Sequence, residues 1–334
     1  MKRLLLPLSL VIFSSLPLQA TDPVHTRFLH QPAISQEKIA FIYANDLWVA
    51  NRDGTNPVRL TIDEGVESNP HFSPDGKTIA FSAQYDGNTD VFTIPVTGGI
   101  PQRLTYHPGW DLVRGFTPSG EVVFATQRTI HTRRYSQFYT ISTSGGFPEQ
   151  VKIPYGSRAA YSPNGKFIAY TPGREVFWQW KGYRGGTMSR IWIFSTADNS
   201  VVEIPKPEGG SNDTYPIWID NTVYFTSDRE GEFNLYSYDT NSKAVKKLTS
   251  HDDFPVQSAS GGTNEIIYEQ AGLLHKYDIT TSTSEPLKVG IATDLLELRT
   301  RYASGAKYAR SASISPSGSR AVIDFRGDIV TVPE

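Results

Sequence analysis

Few side chains in this chain are placed to do chemistry. Arg133-Arg134 is its single adjacent arginine pair. A guanidinium fork holds a carboxylate through two parallel hydrogen bonds, so such a pair at a channel mouth suits the C-terminus of a peptide. The ordinary fate of exposed arginines is a solvated loop charge, and spacing does not choose between the two readings. A second concentration of functional types is the run Phe177-Trp178-Gln179-Trp180-Lys181-Gly182-Tyr183-Arg184-Gly185-Gly186-Thr187. Trp178, Trp180, Tyr183 and Arg184 are of the kinds that gather in contact surfaces, and a loop of this length between short strands tends to carry function. It either touches a neighbouring domain or subunit or packs as a plug over its own strands.

Other chemistries lack their residues. Histidines at 25, 30, 71, 107, 131, 251 and 275 show neither His-x-His nor His-Glu-x-x-His spacing, so no metal site is expected. No serine stands in a Gly-x-Ser-x-Gly elbow, and no base or oxyanion donor set is nominated around one. Asp252-Asp253 has no Asp-x-Asp-x-Asp context and reads as a solvated loop rather than a calcium ligand. Cysteine is absent, which removes thiolate chemistry and disulfides together. No catalytic residue and no cofactor are expected.

The elements that must position these loops repeat. Short turns recur at Ser35-Gln36-Glu37, Ser73-Pro74-Asp75-Gly76, Thr117-Pro118-Ser119-Gly120, Ser162-Pro163-Asn164-Gly165, Ile219-Asp220-Asn221, Ser260-Gly261-Gly262-Thr263 and Ser315-Pro316-Ser317-Gly318. Proline fixes φ, Asp or Asn bonds its own backbone, and glycine supplies the left-handed return. After each turn comes an apolar strand such as Thr78-Ile79-Ala80-Phe81-Ser82. A second strand opening on a small polar residue follows, such as Asp46-Leu47-Trp48-Val49 or Asp90-Val91-Phe92-Thr93. Four short strands every 40 to 50 residues are the sign of propeller blades, and no window keeps a helical apolar period.

Complete units run over residues 27–61, 69–106, 112–153, 158–205, 214–250 and 255–289. The fold expected is all-β: a six-bladed β-propeller of four-stranded antiparallel blades at 21–289, then a connection at 290–311. The first strands of a second propeller follow at 312–334, where a last unit opens at Ala312 and lacks its fourth strand. An unpaired edge there marks the sequence as a piece of something longer. A single seven-bladed ring, completed by an N-terminal strand, is the alternative.

Lys and Arg number 32 against 34 Asp and Glu, so no nucleic-acid or membrane-surface footprint is present. Met1-Lys2-Arg3, the apolar stretch from Leu4 to Leu18 and Leu18-Gln19-Ala20 read as a signal peptide over 1–20, which places the mature protein in the periplasm or outside the cell. No later segment has the length of a membrane span.

Three phrases carry a resemblance at the level of fold. Ser73 to Phe81, Asp46-Leu47-Trp48-Val49 and the Gly98 to Thr105 ending are similar to TolB-type, WD-like repeats. The 177–187 insertion and the phrase from Ile314 to Ile329 resemble bacterial homologues of the tricorn protease, over essentially all of 27–334. The resemblance implies a six-bladed propeller followed by a seven-bladed one, a PDZ module and a serine-peptidase core. It places the catalytic Ser, His and Glu beyond residue 334, so the chain alone should not hydrolyse peptides. It implies peptides as partners, with Arg133 and Arg134 similar in kind to the basic pair that anchors a substrate's carboxylate. It also implies the parent's own downstream domains as contacts for the insertion, and a homo-oligomer. The rivals are a TolB-like periplasmic scaffold without activity and the propeller of a prolyl-oligopeptidase-like enzyme.

Overall fold

The computed structural model describes residues 25–132, 134–293, 300, 302 and 304–334. The leader read at 1–20, Arg133 and part of the 290–311 connection lie outside the described residues. Six sheets of four consecutive antiparallel strands account for the first compact unit, and a second unit begins at Thr293. Blade 1 is β1 (His30–Ile34), β2 (Lys38–Tyr43), β3 (Asp46–Asn51) and β4 (Val58–Arg59). Blade 2 is β5 (Glu67–Phe72), β6 (Thr78–Ala83), β7 (Asp90–Pro95) and β8 (Gln102–Arg103). Blade 3 is β9 (Asp111–Phe116), β10 (Val122–Thr126), β11 (Gln137–Ile141) and β12 (Glu149–Gln150). Blade 4 is β13 (Arg158–Tyr161), β14 (Phe167–Thr171), β15 (Trp192–Ser195) and β16 (Val201–Glu203). Blade 5 is β17 (Asp213–Ile219), β18 (Thr222–Ser227), β19 (Asn234–Asp239) and β20 (Val245–Lys247). Blade 6 is β21 (Val256–Gly261), β22 (Glu265–Gln270), β23 (Leu273–Asp278) and β24 (Thr283–Leu287).

The first strands of the blades line the axis. β1 packs on β5, β5 on β9, β9 on β13, β13 on β17, β17 on β21, and β21 back on β1. The ring is therefore closed by six blades, and the seven-bladed alternative is set aside. Each junction holds its own buried apolar cluster. Phe41 and Trp48 meet Ile267 and Leu274 between blades 1 and 6, Leu47 meets Phe81 and Phe92 between blades 1 and 2, and four more clusters fill the other junctions. Phe41, Phe81, Phe124, Tyr170, Phe225 and Tyr268 occupy like positions on the second strands and are all buried. Flat, wide rings fill the gap between facing sheets.

The repeated residues have local work. In the blade 2 turn, the Ser73 hydroxyl donates to Asp75 (2.6 Å) and accepts from the Thr78 amide (3.0 Å), while Gly76 stands at φ 70°. Ser162 and Asn164 repeat the arrangement at 2.8 Å, and Ser162 accepts the Phe167 amide at 2.9 Å. The Leu-Thr ending caps the third strand: Thr61, Thr105 and Thr249 accept the amides of Leu47, Val91 and Leu235 at 2.9, 3.0 and 2.9 Å. Outer strands of two or three residues in five blades leave little open edge.

Among the described residues the seam between blades 1 and 6 involves no exchanged strand. The Thr26 amide donates to the Val289 carbonyl (2.9 Å), the Phe28 amide to Gly272 (2.7 Å), and Glu269 accepts from His30 Nδ1 (2.7 Å) and the Gln31 amide (3.1 Å). Gly54, at φ 85°, sits so close to Lys288 that a Cβ would lie 2.2 Å from its carbonyl oxygen. In blade 4 the third strand starts at Trp192. Ile191 keeps one bond there, its carbonyl accepting from Ile204 at 3.0 Å.

The second unit carries β25 (Ala309–Ile314), β26 (Arg320–Phe325) and β27 (Asp328–Pro333) as a three-stranded antiparallel sheet. Its first strand begins ahead of Ala312. Ser315 accepts the Arg320 amide at 3.2 Å, the same turn chemistry as in the ring.

Candidate functional site

Because strands alternate in direction, first-to-second and third-to-fourth turns face one end of the ring, and second-to-third connections face the other. Arg134 and the 173–188 insertion both belong to that second set, in blades 3 and 4, so they share a rim. Arg174 Nε donates to the Arg134 carbonyl at 3.1 Å and ties the two loops together. Between them lies a pocket of about 140 Å³ whose wall includes Trp110, Arg114, Arg134, Arg174, Glu175 and Trp178. Arg134 is exposed at its edge. Three arginines and one carboxylate thus line one pocket, an arrangement suited to a second anion.

Beneath this pocket lies the axis, where inner-strand side chains converge. Three of these strands break register at Gln31-Pro32, Asn69-Pro70 and Tyr215-Pro216, with Gln31, Asn69 and Tyr215 at φ 50°, 52° and 50°. A left-handed conformation is rare for such residues, and more so before proline. The bulges aim the extra side chains at the channel instead of at a neighbouring blade.

Arg114 Nη1 donates to Asn69 Oδ1 (2.9 Å) and Nη2 to Glu175 Oε1 (2.9 Å). Arg158 Nε lies 2.8 and 3.1 Å from the two Glu175 oxygens. Its Nη2 donates to the Tyr215 hydroxyl at 2.8 Å, and its guanidinium stacks 4.0 Å over that ring. Burial, with the charge of Arg158, lowers the Arg114 pKa to about 10, against the pull of Glu175. Burial also opposes ionisation of Arg158, but Glu175 and Tyr215 outweigh it and the pKa rises. His71, facing both arginines, is pushed down to about 3 by burial and their charge, so its imidazole is neutral.

The insertion divides in two. Trp178 and Trp180 are 73% and 86% exposed. Arg184 is engaged within the ring, its Nη1 donating to Asp228 at 2.7 Å, and the Tyr183 carbonyl accepts from Asn212 Nδ2 at 2.9 Å. Asp253 accepts from Gln270 Nε2 at 2.7 Å. Among the described residues no group of three His, Asp or Glu stands together as a metal site, and no helix is long and apolar enough to cross a membrane.

Residues 26–283 match the family described as the tricorn protease N-terminal β-propeller domain. The chain belongs to that family. It is 29% identical over 317 residues to tricorn protease homolog 1 of Streptomyces coelicolor, covering 92% of this chain and 29% of that protein. It is 26% identical over 287 residues to the tricorn protease homolog of Saccharolobus solfataricus, covering 85% of this chain and 26% of the relative. The crystal structure of the tricorn protease superposes with a TM-score of 0.75 at 22% identity, over 94% of this chain and 32% of that one, which shows a shared fold. The chain thus spans under a third of the length of these relatives.

Within this tricorn-type propeller, Arg134 and Trp178, singled out from the sequence, line one pocket, whereas Glu175, Arg114, Arg158, Asn69 and Tyr215 were not singled out. One signal was readable. Gln31-Pro32, Asn69-Pro70 and Tyr215-Pro216 place a polar residue before proline in three first strands, where proline otherwise has no reason to sit.

Proposed function

We propose that this chain is the peptide-handling propeller of a tricorn-like serine peptidase, binding chain ends at its loop-bearing rim and passing them to or from a catalytic core elsewhere in the parent protein. The observation that carries this reading is the rim pocket, where Arg114, Arg134 and Arg174 surround the lone Glu175. Arg134, with Arg133 beside it in sequence, holds a peptide's terminal carboxylate. The sheet of β25 to β27 opens a second propeller, and the exposed Trp178 and Trp180 meet one of the parent's further domains or a second subunit. Residues 1–20 direct export, and N-terminal sequencing of the mature protein should begin after Ala20.

The test uses the full-length protein and short peptides with free or amidated C-termini. Arg134→Ala should reduce the preference for the free acid by about tenfold, the worth of one charge-assisted hydrogen bond. Equal cleavage of both forms by the unaltered enzyme would remove the anchoring role.

A further inference from the structure

We propose that Glu175 is an internal stand-in for a ligand: the axial channel is a carboxylate site built on Arg114 and Arg158, and Glu175 latches the 173–188 insertion across it as a lid. The carboxylate chemistry is argued from the channel itself; naming a peptide end as its source rests on the peptide-handling reading.

The partition between two cavities is the first observation. Arg114 and Glu175 line the rim pocket, whereas Arg158, Asn69, His71 and Tyr215 line the axial cavity. Arg114, Glu175, Arg158 and Asn69 are bonded to one another, so this cluster is the wall between the two spaces. The axial cavity holds about 30 Å³, enough for about one water and too little for a carboxylate. A ligand that reaches both Arg114 and Arg158 from the rim therefore has to take the place that Glu175 holds in this wall.

Charge is the second observation. Two guanidiniums, that of Arg114 buried and that of Arg158 mostly so, share one carboxylate, and His71 adds neither charge nor compensation. Glu269, the other acid near the axis, is taken by His30, the Gln31 amide and Ser258 at 2.7, 3.1 and 2.9 Å. Arg114 Nε is buried without a hydrogen-bond partner, a spare donor where one more acceptor oxygen would fit. A carboxylate entering from the rim would bridge the two guanidiniums as Glu175 now does, one charge-assisted bond or more to each.

The lid is fastened unequally. Its far arm is fixed by Arg184 on Asp228 and by Asn212 on the Tyr183 carbonyl. The near arm, after Gly173, is held by Arg174 on the Arg134 carbonyl, by Glu175 itself, by the buried Val176 and by the Phe177 ring 5.1 Å from that of Phe233. Exchange of one carboxylate for another at Arg114 and Arg158 would release the ionic fastening of this arm and loosen the turn at Glu175, while Val176, Phe177 and the far arm stay in place.

Glu175→Gln keeps the shape and removes the competing charge. By calorimetry it should bind an acetylated tripeptide with a free C-terminus at least about tenfold more tightly than the unaltered chain. The amidated tripeptide should gain nothing, and adding Arg158→Gln should remove the gain. No gain, or an equal gain for the amide, overturns the proposal. Acetate binding as tightly as the free tripeptide assigns the site to small carboxylates, and preference for the tripeptide assigns it to peptide ends.

If Glu175→Gln does not fold, hydrogen exchange on the unaltered chain decides the matter. Saturating free-acid tripeptide should speed exchange of the Trp178 and Gln179 amides, which bond to the Glu175 and Val176 carbonyls. Unchanged exchange overturns the latch. Peptide binding lost with Arg134→Ala, but indifferent to Glu175→Gln, would sink the latch and leave the rim reading standing. Acetate binding to Glu175→Gln, beside full-length cleavage that ignores the peptide's terminus, would do the reverse.

Discussion

The two ends of the ring are built on opposite plans. At one end the turns at Ser73, Thr117 and Ser162 repeat one design, in which each hydroxyl accepts an amide of its own turn and no distant partner is needed. At the other end the connections differ in length and composition, and they bond to each other and to inner strands: Arg174 to Arg134, Glu175 to Arg114 and Arg158, Arg184 to Asp228. Repetition marks the parts that hold a blade together. Departure from it marks the parts that several blades must cooperate to place, and there the ionisable groups collect.

That contrast can be broken by mutation. Glu175→Ala leaves two guanidiniums buried without their anion and should destabilise the ring by about 3–5 kcal/mol, read by chemical denaturation. Should it cost no more than Ser73→Ala, which removes a turn hydrogen bond worth about 1 kcal/mol, the two ends are energetically alike. The next effect belongs to the first strand of blade 2. Glu67 is 1% exposed, and burial, against the pull of the neighbouring Tyr85 hydroxyl, lifts its pKa from 4.5 to about 7. The folded state therefore holds that proton more firmly than the unfolded chain. Stability should be unaffected below pH 4.5 and fall as pH rises through about 7, by no more than about 3 kcal/mol and less where water reaches the group. Glu67→Gln should raise Tm at pH 8 and leave it unchanged at pH 4.

Smaller effects sharpen the comparison. Gly76→Ala forces a side chain into the left-handed region at φ 70°, for about 1 kcal/mol, although a Cβ there meets only ordinary contacts. Trp178→Ala and Trp180→Ala should each change stability by under about 0.5 kcal/mol, since both rings stand in solvent. A larger loss would show that they serve the ring and not a partner. At the seam, the hydrogen bond from His30 to Glu269 outweighs burial and raises the His30 pKa above 6.5. Its contribution is complete below pH 6.5 and fades as pH rises through the raised value. Tm of the unaltered chain should drop over that range relative to His30→Gln.

Blades were legible because their causes are local. A Ser-Pro-Asp-Gly turn, an aromatic four residues into the next strand and a Leu-Thr ending each act within about forty residues, so blade boundaries read from them lie within a few residues of those observed. The axial cluster was not, because its members come from different blades: Arg114 and Glu175 are 61 residues apart, and Arg158 and Asn69 are 89 apart. Nothing near Glu175 in sequence announces a buried ion pair, since its neighbours Arg174 and Trp178 face solvent. Arg133-Arg134 drew notice as a pair, whereas the arginines that the fold gathers stand singly.

The seam has a bearing on synthesis. His25 reaches the Leu287 carbonyl across 262 residues, and Leu29, Ile34, Phe41 and Trp48 are covered by side chains of blade 6. As the polypeptide leaves the ribosome, five blades can stack in turn on their predecessors, but the outer flank of the first stays wet until the last has emerged. The interval is one in which a second nascent copy could supply the missing flank, so the final forty residues of the ring decide between a closed monomer and a tangled pair.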